Sequence, residues 1–449
     1  MSSPLDNIFL AYDVRGKVGT ELTPSTVRDI GRAFGDWLEL RKPIAVGYDM
    51  RPDSAELANS LIEGLLQQGR DVIDIGRVTS DMIYFAVGKY DLAGGAMITA
   101  SHNPGEYNGI KFCREQAKAV GVESGLLHIK KACELQDFKE VGQEGSRTSQ
   151  DVSDDWVKHV LSFIDASTLQ PLKIAVDAGN GMAGAIFPKL EPVIPFAVTE
   201  MYFEPDGTFP NHIANPLEPK NLVDLQTELS KGDYSAGVAF DGDGDRAVLL
   251  DEKGEPLSGT VMTAILAGYF LDKYPGSTVL CNAICGQAAH DAVSASGGNS
   301  IRTKVGHSFI KADMRKYDAI FAGEHSGHYY FKDNWCADSG LIAAVIALYI
   351  LSSSGKSLSE LAKPHREAYK QLVETNFEVS DKDSVIEKLK TTFSNLKLDE
   401  LDGLTVYFDG GWFNVRPSNT EPLLRLNVEA ITEQLLKDTA EKVTSIINA

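Results

Sequence analysis

Three aspartates alternate with two glycines at Asp241-Gly242-Asp243-Gly244-Asp245, and Arg246 follows. Glycine lifts the steric bar to a tight bend, so the three carboxylates can converge on one point. Three hard oxygen ligands suit Mg²⁺, which keeps further positions for water or a phosphate oxygen. A calcium loop is the competing assignment, since Glu252 is twelfth counting from Asp241. Position six, however, is Arg246 where such a loop needs glycine, and the flanks AGVAF and AVLL are strand-like. A plain acidic turn is the bland alternative.

A second cluster is Thr99-Ala100-Ser101-His102-Asn103-Pro104, with Asn108-Gly109-Ile110-Lys111 beyond. It follows the strand-like run GGAMIT, so Ser101 falls at a strand's carboxyl end, where open α/β sheets place ligands. A Ser/Asn/Pro turn has the same composition, and a hydrolase nucleophile would want a GxSxG elbow, which the chain lacks. At Gly323-Glu324-His325-Ser326-Gly327-His328, below Lys304-Val305-Gly306-His307-Ser308, mixed donors and acceptors form a rim suited to sugar hydroxyls. Zinc at His325 and His328 would need helical spacing and a third ligand. Arg416-Pro417-Ser418-Asn419-Thr420-Glu421-Pro422, with Arg425, has the makings of a phosphate cradle, or of an ordinary turn. Gly179 to Gly184 fits G-x-G-x-x-G after the strand-like KIAVDA, with Glu200 about twenty residues on, as in a dinucleotide site. Gly355-Lys356-Ser357 imitates the end of a P-loop, but Ile350 stands where its first glycine should be.

These clusters need a scaffold of strands and helices. Apolar runs at 43–48, 72–76 and 94–99 alternate with helical spacing at 54–68, which predicts a largely parallel sheet between helices. The pattern restarts at 173–177 and again beyond Glu252, with a polar linker expected at 142–153. Further strands are expected at 238–240, 278–281 and 319–322. From about Tyr369, short strands at 404–408, 412–416 and 424–429 predict a small α+β domain.

The chain has 449 residues, and 63 acidic against 43 basic residues give a net charge of −20. That balance disfavours nucleic acid and anionic membrane as partners, because no excess of cations exists to neutralise phosphates. Five cysteines without a CxxC pair, an N-terminus unlike a signal peptide, and no apolar run beyond the eleven residues Leu341–Leu351 predict a cytoplasmic protein.

The ordered set Tyr12-Asp13-Val14-Arg15-Gly16, TASHNP, Pro205-Asp206-Gly207 to His212, DGDGDR, GEHSGH and RPSNTEP resembles the α-D-phosphohexomutase superfamily over nearly the whole chain. Within it, they resemble the bacterial phosphomannomutase/phosphoglucomutase group. The resemblance implies an α/β fold: three related α/β domains, each a mixed or parallel sheet with helices on both faces, and a C-terminal α+β domain similar to the TATA-binding-protein fold. The expected bounds are 1–148, 149–251, 252–366 and 367–449.

The implied reaction interconverts hexose 1-phosphate and hexose 6-phosphate, with mannose ahead of glucose. It runs through a phosphoserine at Ser101 and a hexose 1,6-bisphosphate that also serves as activator. By the same resemblance Mg²⁺ is held by Asp241, Asp243, Asp245 and the Ser101 phosphate. Arg15, Lys111 and Arg246 are the cations around that phosphate, and Lys111 and His307 are the proton-transfer candidates. Glu324 and Ser326 grip ring hydroxyls, with Lys304 and His328 beside them. Arg416, Ser418, Asn419, Thr420 and Arg425 hold the non-reacting phosphate. Ile284 stands where many members carry a lysine. Asn419 and His325 depart from the phosphoglucosamine mutases, which are the alternative within the superfamily; an NAD(P)-dependent oxidoreductase using 179–184 is the alternative outside it. The implied partner is a small phosphosugar.

Overall fold

Ile44–Tyr48 is almost wholly buried, as its unbroken apolar sequence demands of a strand covered on both faces. The computed structural model describes residues 4–418 and 423–449. After Ile44–Tyr48 comes the helix Ser54–Gln67, and Val72–Arg77 returns parallel on one side. The helix Ser80–Lys89 then leads to Gly94–Ile98, parallel on the other side. The winding therefore reverses at Ile44–Tyr48, and the crevice at the carboxyl ends of Ile44–Tyr48 and Gly94–Ile98 is where such a sheet receives ligands. The connection 99–106 is too short for a crossover, so Tyr107–Arg114 pairs antiparallel with Gly94–Ile98, and Val14–Lys17 closes that edge.

This winding occurs three times. Leu172–Asp177 lies between parallel Phe196–Met201 and Ala236–Phe240, and Ala247–Leu250 runs antiparallel beside the latter. Thr278–Asn282 lies between parallel Asn299–Thr303 and Phe321–Gly323. The loops that follow Gly94–Ile98, Ala236–Phe240 and Phe321–Gly323 are topologically equivalent, and they carry Ser101, Asp241 and Glu324 respectively.

The chain forms two compact units, Met1–Leu257 with Ser326–Ser359, and Ser258–His325 with Glu360–Ala449. The first contains the sheets around Ile44–Tyr48 and Leu172–Asp177. It also holds the hairpin Tyr329–Phe331/Ala337–Asp338 and the helix Gly340–Ser354. That helix is apolar on all sides because it is a core helix, packed on Ala247–Leu250 and the helix Ser153–Leu161. No single helix among the described residues is long and apolar enough to cross a membrane.

The second unit adds an antiparallel sheet of Leu423–Ala430, Gly411–Pro417, Leu404–Phe408 and Lys397–Asp399, with Lys370–Gln371 and Thr375–Glu378 on the first of these. Leu389 and Leu436, from the helices Lys382–Thr392 and Glu433–Ile447, share its core with Phe413 and Leu426. An α+β ending is thus what the chain forms.

Two sequence expectations give way. The polar stretch 142–153, read as a linker, contains the strand Arg147–Ser149, paired parallel with Val72–Asp74. All three of its residues are exposed at a sheet edge, so no apolar pattern marks it. The glycines at 179–184 do turn the chain, but the helix behind them is only Ala183–Ile186. The Met182 N–H donates to the Gly242 carbonyl at 2.9 Å, and a Cβ on Gly181 would stand 2.8 Å from that same oxygen. The acidic loop fills the space a pyrophosphate would need, and so short a helix has little dipole to offer.

The loop Pro205 to His212 is tied down by His212, whose Nε2 lies 3.0 Å from Asp177 Oδ2 while Nδ1 lies 3.0 Å from the Ile213 carbonyl. Burial alone would lower this histidine's pKa, but two acceptors at its two nitrogens outweigh burial and raise it. A raised pKa means that the protonated form stabilises the fold below the ordinary histidine pKa. That contribution disappears as pH rises through the folded value. His212→Gln should therefore cost roughly 1 kcal/mol at pH 6 and distinctly less at pH 9, read from urea midpoints at the two pH values.

Candidate active site

Ser101 is a non-glycine residue in the left-handed region, with φ of 49°, a conformation that costs roughly 1–2 kcal/mol. Its N–H donates to Thr99 Oγ1 at 2.9 Å, and its Oγ donates to Asp241 Oδ2 at 2.7 Å. Arg246 Nη2 reaches the same Oγ at 3.3 Å. The serine loop and the acidic loop touch through backbone: a Cβ on Gly242 would fall 2.5 Å from the Ser101 carbonyl oxygen. Glycine at 242 is what allows the hydroxyl and the carboxylates to meet.

The acidic loop brings Asp241, Asp243 and Asp245 together, one oxygen of each within 4.8 Å of the others, all three buried. Arg246 donates from its backbone N–H to Asp241 Oδ1 at 3.0 Å and from Nε to Oδ2 at 3.1 Å. Lys111 Nζ bridges Asp243 Oδ2 at 2.6 Å and Asp245 Oδ2 at 2.5 Å. Ser80 Oγ, which nothing in the sequence singled out, donates to Asp243 Oδ2 at 2.5 Å. Burial, followed by the neighbouring Asp245 charge, pushes the Asp241 carboxyl well above its usual range. Burial alone would lower Lys111, but Asp243 and Asp245 hold it well above the lysine range, so it stays an ammonium. With all three carboxylates ionised, as ligation of a cation requires, Lys111 and Arg246 leave one net negative charge.

This donor set fits Mg²⁺. Asp243 Oδ1 and Asp245 Oδ1 are buried without a hydrogen-bond donor, and a divalent cation would turn the local charge from −1 to +1, the sign a phosphoryl group requires.

Around this centre, Arg15 on Val14–Lys17 donates to Asn103 Oδ1 at 2.7 Å and to Asp13 Oδ2 at 2.5 Å, so it braces the serine loop from its edge. His328 Nε2 lies 3.6 Å from Asp245 Oδ1, and its Nδ1 lies 2.9 Å from Ser326 Oγ. His102 Nδ1 lies 3.1 Å from Ser101 Oγ and also faces Arg246 Nη2. The Arg246 charge, then burial, drives this imidazole well below its ordinary pKa.

The second unit holds the other sequence candidates in two groups. Glu324 is buried at the end of Phe321–Gly323; its Oε2 accepts from Asn282 Nδ2 at 3.0 Å and from the Gly306 N–H at 3.3 Å. His307 opens the helix His307–Lys316 directly after Gly306. Lys304 lies with Nζ 5.4 Å from the Phe309 ring. In the other group, Glu374 Oε2 accepts from Arg416 Nη2 at 3.1 Å and its Oε1 from Arg425 Nη1 at 3.2 Å, with Asn427 beside them. Ser418 is buried, its N–H donating to the Leu423 carbonyl. Asn419 and Thr420 lie outside the described residues. Ile284 is buried between Ala283, whose carbonyl takes a bond from Arg302, and Cys285. Glu374 was not read from the sequence, because an isolated polar residue in no motif gives no signal; Asn282 opens the stretch that places Ile284 at the family's lysine position, but no role for its own amide was read there.

Four family profiles match in order: phosphoglucomutase/phosphomannomutase alpha/beta/alpha domain I over residues 6–138, domain II over 154–254, domain III over 258–369, and the C-terminal domain over 374–446. The chain belongs to the phosphoglucomutase/phosphomannomutase family. A Vibrio cholerae serotype O1 protein named phosphomannomutase is 37% identical over 452 residues, covering 98% of each chain. An Escherichia coli K12 phosphomannomutase is 38% identical over 431 residues, covering 94% of each. A crystal structure of a phosphoglucomutase/phosphomannomutase family protein from Burkholderia thailandensis superposes with a TM-score of 0.91 at 32% identity, over 99% of this chain and 97% of that one.

The charge arithmetic predicts opposite signs for two substitutions. Asp243→Asn should weaken Mg²⁺ binding at least about tenfold, whereas Lys111→Met, which removes a competing ammonium, should tighten it. Calorimetric titration of Mg²⁺ into metal-free protein reads both; unchanged affinity in Asp243→Asn would place the cation elsewhere.

Proposed function

We propose that the protein interconverts hexose 1-phosphate and hexose 6-phosphate, with mannose the preferred sugar and glucose the second, through a phosphoserine at Ser101. The observation that carries this reading is the Ser101 hydroxyl lodged 2.7 Å from Asp241, among three buried carboxylates already bridged by an ammonium and a guanidinium. A hydroxyl in that setting suits phosphoryl transfer, where positioning and charge neutralisation do most of the work.

In the first half-reaction the bond from Ser101 Oγ to phosphorus breaks as a bond forms to O6 of a hexose 1-phosphate. The O6 proton passes to a base, for which His307 is the candidate, and a proton returns to Oγ. The hexose 1,6-bisphosphate turns over within the site. Ser101 Oγ then gives its proton back to the group that supplied it and bonds to phosphorus as the O1–phosphorus bond breaks, O1 takes a proton from the base, and the 6-phosphate leaves with phosphoserine restored. The same bisphosphate, supplied from outside, phosphorylates an idle serine, which makes it the activator.

Arg246 and Lys111 present positive charge to the transferring group, and Lys111 is the other candidate for proton transfer. Asp241, Asp243 and Asp245 would hold Mg²⁺, which when bound would supply Lewis-acid neutralisation of negative charge on the transferring group. Arg15 fixes the loop edge through Asn103. Glu324 and Ser326 take ring hydroxyls, with Lys304 and His328 beside them. Arg416, Ser418, Asn419, Thr420 and Arg425 take the distal phosphate. In that role the substrate phosphate would exchange with the Glu374 carboxylate for the two guanidinia. The five cysteines are buried thiols outside any disulfide, in keeping with the reducing cytoplasm we propose as its compartment.

Incubation with glucose 1,6-bisphosphate should add one phosphoryl group, about 80 Da, to the intact protein. Ser101→Ala should neither gain that mass nor turn over, while still binding sugar phosphate; wild-type rates in that variant would remove Ser101 from the mechanism. Comparison of kcat/KM for mannose, glucose and glucosamine 1-phosphates should rank them in that order, and a glucosamine preference would move the protein to the phosphoglucosamine mutases.

A further inference from the structure

The carbonyls of the serine loop converge on one buried side chain that no motif marks. Arg51 follows the strand Ile44–Tyr48, on the opposite lip of the crevice from Ser101, with its side chain fully buried. Its Nη2 donates to the Ser101 carbonyl at 2.9 Å and to the Asn103 carbonyl at 2.6 Å. Its Nη1 donates to the carbonyls of Pro104 and Tyr107, both at 2.9 Å. Asp49 balances the charge, with Oδ2 3.3 Å from Arg51 Nε and Oδ1 accepting the Arg51 N–H at 3.0 Å. Asp49 Oδ1 also takes Ser54 Oγ at 2.5 Å, and Ser54 Oγ accepts from Asn108 Nδ2 at 2.9 Å, so both ends of the loop are moored to one aspartate.

The loop Pro205 to His212 rests on the outside of this arginine. A Cβ on Gly207 would stand 2.4 Å from Arg51 Cα, and the Phe209 ring centre lies 5.4 Å from the guanidinium carbon. Arg51 therefore joins three pieces: the strand end that carries it, the loop that carries Ser101, and the turn that packs against it.

We propose that Arg51 is a positioning residue for phosphoryl transfer: its guanidinium fork, seated under Gly207 and Phe209, holds the serine loop in the left-handed bend that aims Ser101 Oγ at the acidic triad. A left-handed non-glycine residue persists only where its surroundings over-determine it, and four fixed carbonyls on one planar fork do that. Lysine offers a single nitrogen and cannot span them. Both terminal nitrogens of Arg51 are engaged by serine-loop carbonyls and its Nε faces Asp49, so its effect falls on the aim of the serine and not on the grip on the sugar. This rests on the reading that Ser101 carries the phosphoryl group.

The test uses the full-length chain as Arg51→Lys, Arg51→Ala and the milder Phe209→Leu, which keeps all four hydrogen bonds. Arg51→Lys should lower kcat by about 100-fold with KM for mannose 1-phosphate nearly unchanged. Millimolar guanidinium ion should restore part of the rate to Arg51→Ala. Phe209→Leu should shift kcat the same way but less, and its outcome stands even if the arginine variants misfold. Amide hydrogen exchange at Asn103 and Tyr107, whose N–H groups bond within the loop, should quicken in all three variants while the helix Ser80–Lys89 stays protected. Unchanged exchange, or a loss of rate that appears in KM and is not rescued, overturns the positioning role. The exchange result decides the clamp without any turnover, so failure of wild type to accept a phosphoryl group would count against Ser101 alone.

Discussion

Three carboxylates on five consecutive residues, buried together, set the terms for the rest of this molecule. Two like charges about 4 Å apart repel by roughly 4 kcal/mol at the effective dielectric of a protein surface, and burial makes the cost larger. Such a loop can exist only where cations are delivered to it from elsewhere in the chain. Lys111 comes from a neighbouring sheet, Arg246 from the next residue, and a divalent ion suits the oxygens that remain. The same demand explains why a serine hydroxyl beside the triad is poised for phosphate: compensation overshoots to net positive once a divalent cation is added, and a phosphoryl dianion restores the balance.

The fold meets that demand by repeating one winding. In each α/β unit the first core strand lies between two parallel partners, and the loop after the third strand leaves the sheet at the reversal point. At that one place the chain puts a hydroxyl in the first winding, the acidic loop in the second and a buried glutamate in the third. Sheet topology fixes where chemistry can sit; the residues at the loop decide what it is.

Much of this was legible from residue order. Apolar runs located many of the strands to within a residue or two; the rule that ligands gather at strand carboxyl ends marked the serine loop, and alternating Asp and Gly marked the acidic one. What escaped shares a physical cause. Arg51 acts on backbone carbonyls, which every residue has, so its partners leave no trace in side-chain spacing. Asp49 and Arg51 do follow a strand end, and the rule that found Ser101 would have reached them. Ser80 sits at the start of a helix in another element and meets Asp243 only through the tertiary fold. Arg147–Ser149 is an edge strand exposed on both faces, where pairing depends on backbone alone. The glycines at 179–184 misled in the opposite sense: their spacing imitates a nucleotide loop, but what approaches them is the backbone of the acidic loop.

His102 shows how far adjacency in sequence can mislead about chemistry. A histidine beside an exposed serine is the pairing a hydrolase uses, with the imidazole as base. Here the Arg246 guanidinium faces the same Nδ1 that lies near Ser101 Oγ, so the lone pair that would accept the serine proton already faces a permanent cation. The imidazole is thereby excluded as the base for Ser101, and the carboxylate of Asp241, itself bonded to Arg246, is left as the acceptor of the hydroxyl. Such a serine gains little from proton abstraction and much from neutralised charge. That is the balance that phosphoryl transfer rewards and acyl transfer does not.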